Sequence, residues 1–436
     1  MKYLLFIIIP SLALSWNTPI NLSQMYGDDI NPQVCRSWNY LTHTCLVWQR
    51  RIGETWNIFA RFSNWEGWDS IIRVTLDSCN NSDNENPAVA YTDFWRNKAW
   101  VVWQKSFGNN WEIFAAQGDT SGFDSPYQLT NSSDCRDENP SVFVISDTVW
   151  VTWQLSSAIE TIPTRILAKF FNGTNWSDDF IIDQSQDPFC TNPKIHVRHN
   201  HPIIVYAKES RCYSHIYYSE YLNNFWTMPI VVCDSSGYNY NPEVIGEGPP
   251  LMMDSGAIIL WHNFGSNDVF NTAYDTFNVH YRITCDSIVD ISPTAITFDA
   301  PTLFEMMTIA WRRGDYIYST FYYSPELVPV DTTGACDKPC LTADVFTRVW
   351  CIYQKYVGSD WEIFGTYEAY GIEEKQSNQI KAKRLISFNQ LASFLRDKRY
   401  QVYDITGRVI RNNTDLRSGI YFIKIDGEKI SAVFIR

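Results

Sequence analysis

The sequence predicts an all-β protein: a seven-bladed β-propeller over residues 16–372, followed by a separate small module at the C-terminus. Three observations carry this expectation. A strand opening on Asn-Pro recurs at intervals of roughly 50 residues, the size of one propeller blade. The chain holds 18 Trp, 25 Tyr and 25 Phe, side chains that pleated strands accommodate well. Charge, Trp and Cys content all change abruptly near residue 372.

The repeats come first. Asn31-Pro32, Asn86-Pro87, Asn139-Pro140, Asn192-Pro193 and Asn241-Pro242 open five of them, with Ala300-Pro301 and Lys338-Pro339 read as weaker sixth and seventh openings. Proline suits the start of a strand, where no ladder N–H is required. An apolar strand then ends in an aromatic at Trp48, Trp103, Trp153, Tyr206, Trp261, Trp311 and Tyr353. Gln follows that aromatic at Gln49, Gln104, Gln154 and Gln354. At one constant offset from Gln49, Gln104 and Gln354 come Trp56-Asn57-Ile58-Phe59, Trp111-Glu112-Ile113-Phe114 and Trp361-Glu362-Ile363-Phe364. Gly53, Gly108 and Gly358 lie between and supply the turn, so each pair of segments is a hairpin. Fourth strands are expected at 71–76, 127–130, 180–183 and 230–232, giving four per repeat.

The last repeat lacks its own fourth strand before the charge boundary. Trp16-Asn17-Thr18-Pro19-Ile20-Asn21-Leu22-Ser23 is similar to the fourth strands elsewhere, such as Ser125-Pro126-Tyr127-Gln128-Leu129-Thr130. The N-terminal segment is therefore expected to close the ring, which leaves no open β edge. The alternatives are an open array of β-sandwiches, or a ring of six or eight blades, because the fifth and sixth repeats depart most from the pattern.

Residues 1–15 read as a signal peptide: a basic start at Lys2, an apolar run, and small residues at Ala13 and Ser15. The run is well short of the roughly 20 residues that a membrane span needs, and no later segment is long and apolar enough, so no transmembrane segment is expected in the mature chain. Eleven cysteines suit an oxidising compartment. Cys35 with Cys45, and Cys340 with Cys351, bracket hairpins and are close enough for a disulfide if register allows. Cys79, Cys135, Cys190, Cys233, Cys285 and Cys336 recur between repeats, where equivalent positions on different blades exceed the disulfide limit of about 7 Å between Cα atoms. The odd count leaves at least one thiol free or intermolecular.

The net charge of −13 conceals a split. Residues 373–436 hold 13 Lys/Arg against 7 Asp/Glu, whereas residues 1–372 hold 22 against 41. An acidic body argues against nucleic acid as a partner, since that recognition rests on cations meeting phosphates. A linker is expected over 373–384 and a second domain over 385–436.

Within that domain, Val402-Tyr403-Asp404-Ile405-Thr406-Gly407-Arg408-Val409-Ile410, then Ser418-Gly419-Ile420-Tyr421-Phe422-Ile423-Lys424 and Val433-Phe434-Ile435-Arg436, follow in order to the chain end. This resembles the type A C-terminal sorting domain of bacterial type IX secretion substrates. The resemblance implies a small Ig-like β-sandwich, recognition by outer-membrane secretion machinery, and delivery to the cell surface or medium. Tyr403, Asp404, Gly407, Arg408, Gly419, Tyr421 and Lys429 match the motif. The final strand carries only Arg436 where the family often has a further Lys, so the resemblance does not extend to cleavage or lipid attachment.

Chemistry is less legible. The body is similar in general layout to secreted sialidase-like propellers, but the Ser-x-Asp-x-Gly-x-Thr-Trp turn of that family is absent and no catalytic arginine triad can be assigned. Gln49, Gln104, Gln154, Gln354, His262 and Arg312 occupy matching positions and are the candidate ligand-binding ring around the central channel, or they simply serve the repeat. Asp83 with Glu85, and Asp134 with Asp137-Glu138, offer oxygens suited to Ca²⁺, but without any fixed calcium spacing, and turn capping accounts for them. HExxH, GxSxG and P-loop motifs are absent, and no cofactor or metal is expected. The reading is an exported, non-enzymatic propeller that binds a glycan or surface protein. The alternative is a secreted glycoside-active enzyme with its site on one propeller face.

Overall fold

The computed structural model describes residues 16–24, 27–36, 44–64, 67–75, 82–92, 98–132, 134–145, 148–157, 163–185, 189–210, 213–233, 237–245, 257–263, 266, 268–272, 280–284, 288–299, 305–321, 327–343 and 348–368. Beyond these it describes the strands Leu385–Ile386, Tyr400–Asp404, Val409–Ile410, Gly419–Ile425 and Ser431–Ile435. The proposed signal peptide, 1–15, and linker, 373–384, lie outside the described residues. The chain divides into two units, Met1–Tyr370 and Gly371–Arg436.

The first unit is a seven-bladed β-propeller, built from seven antiparallel sheets of four or five strands. Blade 1 runs Asp29–Arg36, Thr44–Ile52, Thr55–Asn64 and Gly67–Arg73 from the inside outward. The innermost strands of blades 2 to 7 are Asn84–Tyr91, Cys135–Ile145, Phe189–Arg198, Asn239–Ile245, Asp290–Asp299 and Cys336–Ala343. In blade 7 the outermost strand is Ile20–Asn21, paired antiparallel with Asp360–Glu368. Leu22 N–H adds a bond to Ile363 O at 2.7 Å, and Gly365, opposite Ile20, leaves room for the Leu22 side chain.

Every innermost strand breaks register with its neighbour at one place, the residue pair ending in proline. The residue before that proline is left-handed in all seven blades, with φ between 47° and 54°. Asn tolerates this conformation better than other side chains, which explains Asn31, Asn86, Asn139, Asn192 and Asn241. The sixth blade corrects the sequence reading. Its opening is Ser292-Pro293, with Ser292 at φ 52°, and not Ala300-Pro301, which lies outside the described residues. The ring geometry imposes the bulge there although serine has no special preference for it.

The core is not one mass but seven seams, one between each pair of neighbouring blades. Residues one and three places after the proline face the next blade, and residues two and four places after face the preceding one. Thus Ala88 and Ala90 of blade 2 meet Val142 and Val144 of blade 3. Each repeat aromatic turns toward the preceding blade: Trp103 packs with Val47 and Ile58, and Trp48 with Ile352 and Ile363 of blade 7. Full burial of one such indole removes roughly 200 Å² from water, worth about 5 kcal/mol before entropy is counted.

The polar end of six of the seven aromatics finds one of two solutions. Trp48, Trp103, Trp153 and Trp311 donate Nε1–H to Asp29, Asn84, Asp137 and Asp290, three residues before their own proline, at 2.7, 2.9, 2.7 and 2.8 Å. In blades 4 and 7 the aromatic is Tyr206 or Tyr353, and cysteine (Cys190, Cys336) replaces the acceptor. The tyrosine hydroxyl then reaches back to Asp183 (3.2 Å) or Asp331 (2.7 Å), contributed by the preceding blade. Lys208 and Lys355 neutralise those two carboxylates at 2.8 Å.

All eight described cysteines are free thiols; Cys79, Cys212 and Cys285 lie outside the described residues. Among the described residues no helix is long and apolar enough to cross a membrane. In the second unit the five strands form one sheet, in the order Leu385–Ile386, Ser431–Ile435, Gly419–Ile425, Tyr400–Asp404, Val409–Ile410.

Candidate functional site

Two kinds of segment share one face of the propeller: the links that enter each innermost strand, and the turns between second and third strands. Backbone bonds tie them together, among them Arg51 N to Asp28 O, Ser106 N to Asp83 O, Gly314 N to Val289 O and Tyr356 N to Ala335 O, each 2.9 Å. Carboxylates stitch neighbouring blades on this face. Asp83 accepts Trp56 N–H at 3.0 Å, and Asp28 accepts Trp361 N–H at 3.1 Å.

Four of the turns are two residues long and begin with glycine at positive φ: Gly53 (61°), Gly108 (65°), Gly314 (59°) and Gly358 (67°). Such tight turns match the strand twist and need φ above zero at the first position. They also hold the flanking side chains out in solvent. Ile52, Phe107, Tyr316 and Val357 flank these turns, and Tyr356 and Tyr213 stand beside the second turns of blades 7 and 4. All six are between 40% (Tyr316) and 46% (Phe107, Tyr356) exposed. With Ile288 and Val289 on a link, they form a discontinuous apolar crown round the face.

The axis holds a channel of about 380 Å³, lined by the innermost strands of all seven blades. Asn31, Asn86 and Asn139 pass a hydrogen bond from side chain to side chain round it, each at 3.2 Å, and Asn192 bonds Asn241 at 3.3 Å. Lys194 and Glu243 form an ion pair at 3.3 Å, and His196 lies 4.0 Å from the ring of Phe143. Burial pushes the His196 imidazole down to about 3, so it is neutral at physiological pH.

The expected ring residues sit one layer behind that lining. Gln49 Oε1 accepts from Asn31 Nδ2 (2.8 Å) in its own blade and from Asn86 N–H (2.9 Å) in the next. Gln104 does the same with Asn86 (3.1 Å) and Asn139 (2.9 Å), and Gln154 with Asn139 and Asn192 (both 3.3 Å). Gln354 accepts Asn31 N–H at 2.9 Å, joining blade 7 to blade 1. Arg312 reaches Asp337 of blade 7 at 3.4 Å and Asp315 at 3.7 Å. His262 is buried, its Nε2 makes no hydrogen bond, and burial lowers its pKa against the pull of Asp268. None of the six residues is among those lining the channel.

Of the acidic candidates, Asp83 caps a strand, Asp137 bonds Trp153, and Glu138 accepts Ser156 Oγ–H at 3.0 Å. Glu85 lies beside Glu138, and burial, with Asp83 and Glu138 adding to it, raises its pKa. Across the ring, burial also raises Glu209 and Tyr240. No group of three or more metal-ligating side chains stands together among the described residues. Sequence reasoning missed the crown, although three of the four glycine turns that expose it, at Gly53, Gly108 and Gly358, were read.

Similarity to known proteins is confined to the solved structures. Trypanosoma rangeli sialidase in complex with sialic acid gives a TM-score of 0.47 at 8% identity, covering 81% of this chain and 57% of that one. The GH93 α-L-arabinofuranosidase of Fusarium graminearum, in complex with arabinobiose, gives 0.45 at 9% identity, covering 82% and 98%. The NanB sialidase from Streptococcus pneumoniae gives 0.44 at 8%, covering 80% and 69%. This chain therefore spans less than two thirds of the first sialidase's length. No protein-family model matches the sequence, and no curated protein does. Likeness at this level carries nothing about activity.

Tyr403 and Asp404 end the strand Tyr400–Asp404, opposite Phe422 and Tyr421, and Gly419 opens the strand that contains Tyr421. Gly407, Arg408 and Lys429 lie outside the described residues.

Proposed function

We propose that the chain is an exported propeller that binds a macromolecular partner, a glycan polymer or a surface protein, across the face of links and second turns, without turnover. The observation that carries this reading is the exposed crown of Ile52, Phe107, Tyr213, Tyr316, Tyr356 and Val357 on one face. Large apolar side chains gathered on one surface mark interaction sites, and tyrosine serves both protein and sugar contacts. Most of the expected ring residues are engaged in bonds between blades and act in this reading as the rigid support of that face.

The signal peptide over 1–15 and the sorting-domain resemblance over 385–436 support delivery to the cell surface or medium. In this reading the second unit takes the family's Ig-like sandwich and engages outer-membrane secretion machinery through the Tyr403–Arg408 and Gly419–Tyr421 motifs. Deleting 385–436 should retain the protein inside a host that has this machinery; unchanged export would refute the sorting role.

The second reading, a glycoside-active enzyme, is favoured by one observation: Glu85, with its raised pKa, beside Glu138. Paired carboxylates are the usual apparatus of glycoside hydrolysis. A glycan array coupled to a hydrolysis assay separates the two readings. Binding lost in the double variant Phe107→Ser/Tyr356→Ser, with no turnover, supports the first. Turnover abolished by Glu85→Gln or Glu138→Gln establishes the second.

A further inference from the structure

Among the described residues, the seams that bury a carboxylate beside the repeat aromatic follow a charge rule with one exception. Four seams bury a carboxylate beside the repeat aromatic, and each supplies a cation two residues after that aromatic. Arg50 holds Asp29 through Nε at 2.7 Å and Nη2 at 2.9 Å, and Arg313 holds Asp290 at 3.0 Å. Lys208 holds Asp183 and Lys355 holds Asp331, both at 2.8 Å. In the seams entering blades 2 and 5 the position three residues before the proline is neutral, Asn84 and Asn239.

The exception is the seam between blades 2 and 3. Asp137 is 1% exposed and the position two residues after Trp153 is Leu155, which has neither the reach nor the charge of arginine. Asp137 Oδ1 accepts Trp153 Nε1–H, whereas no donor meets Oδ2 in hydrogen-bond geometry. The Ser132 and Thr130 hydroxyls stand near enough only to temper the rise in pKa that burial and Glu112 impose. A second carboxylate, Glu112 of blade 2, is 3% exposed on the other side of the seam. It accepts from Thr130 Oγ (2.6 Å), Ser132 N–H (2.9 Å) and Asn110 Nδ2 (2.8 Å). No lysine or arginine among the described residues pairs with either carboxylate. In the seam between blades 7 and 1 the same acidic pair recurs as Glu362 and Asp29. There Arg50 bridges Asp29 to the main-chain oxygen of Ser23 at 2.9 Å, and Thr130 is the counterpart of Ser23.

We propose that the seam between blades 2 and 3 binds a hard divalent metal cation of the Ca²⁺ type, held by Asp137 Oδ2 and Glu112 with oxygens of Thr130 and Ser132. Two buried carboxylates in a low-dielectric seam require a counter-charge, and an all-oxygen donor set suits such a cation. The metal takes the role that a guanidinium plays in the seams entering blades 1 and 6.

The test uses the full chain, freed of metal by chelation, at neutral pH. Thermal unfolding is followed with CaCl₂, MgCl₂ or NaCl against choline chloride at matched ionic strength. Wild type should gain a saturable Tm increase of about 3 °C or more with Ca²⁺ near 1 mM. Asp137→Asn and Leu155→Arg should both lose the response, and Leu155→Arg should start from a higher metal-free Tm. If Leu155→Arg does not fold, Asp137→Asn decides alone. The proposal is overturned if wild type ignores Ca²⁺, if all salts act alike, or if Asp137→Asn responds as wild type does. A wild type stabilised only by acidification would mean that a proton fills the role, and equally overturns it.

Discussion

At the scale of single residues, the left-handed position before each proline offers the cleanest comparison, because one chain presents it seven times. Five copies are Asn, and Ser292 and Lys338 hold the same φ without a side chain suited to it. Lys338→Asn and Ser292→Asn should each stabilise by about 0.5–1 kcal/mol in urea unfolding, whereas Asn86→Ala should cost about 2 kcal/mol by losing both the conformation and its bonds to Gln104 and Asn139. Asp331 gives a prediction in pH. Burial would raise its pKa, but bonds from Lys355, Thr333 and Tyr353 outweigh burial and hold it below the ordinary 3.8. A depressed carboxyl stabilises the fold above that value, and the stability is lost as pH falls through the folded-state pKa. Asp331→Asn should therefore lower Tm at pH 7 and flatten its decline below about pH 4; an unchanged acid limb would contradict the assignment. Five openings were legible in the sequence because Asn-Pro is a local signal. Ser292 was not, because its conformation is imposed by the ring and leaves no mark in residue type.

At the scale of elements, register decides which cysteines can meet. Cys35 and Cys45 are directly opposed on neighbouring strands, whereas Cys340 faces Ile352 and Cys351 faces Leu341. Directly opposed antiparallel residues lie about 4.5–5.5 Å apart at Cα, inside the disulfide window. Peptide mapping after mild oxidation by a small-molecule disulfide should find Cys35 joined to Cys45 and no Cys340–Cys351 link; the reverse pattern would contradict this register. The two pairs look equivalent in sequence, since both bracket a hairpin of similar span. The bulge falls at the proline pair in both blades, and what separates them is the cysteines' distance from it. Cys35 lies three residues past its proline and Cys340 one, so only the first meets a cysteine across the strand pair.

At the scale of the whole molecule, ring closure rests on a short N-terminal piece. Leu22 is fully buried in the seam between blades 7 and 1, and Trp16 reaches blade 6 through a 2.9 Å bond to Ser319. Leu22→Ala should cost about 2–5 kcal/mol. Removal of residues 16–24 should go further, baring the edge of Asp360–Glu368 and producing oligomers in size-exclusion chromatography. A monomer of unchanged Tm would show that the closure is dispensable. The propeller was readable from repeat spacing together with the N-terminal strand that closes it, although the sixth opening lies at Ser292-Pro293 and not at the expected Ala300-Pro301. Neither the crown nor the seam chemistry was readable, since both depend on which side chains of different repeats come together.

The tyrosine seams carry a consequence for how such a chain is inherited. Blades 1, 2, 3 and 6 bring their own acceptor for the tryptophan and can be copied or moved as self-contained cassettes. Blades 4 and 7 cannot, because Tyr206 and Tyr353 depend on Asp183 and Asp331 encoded one repeat upstream. For those two, the unit of duplication or grafting must begin before the preceding outer strand. A recombination breakpoint drawn at the proline would separate donor from acceptor and leave a buried lysine with no counter-ion.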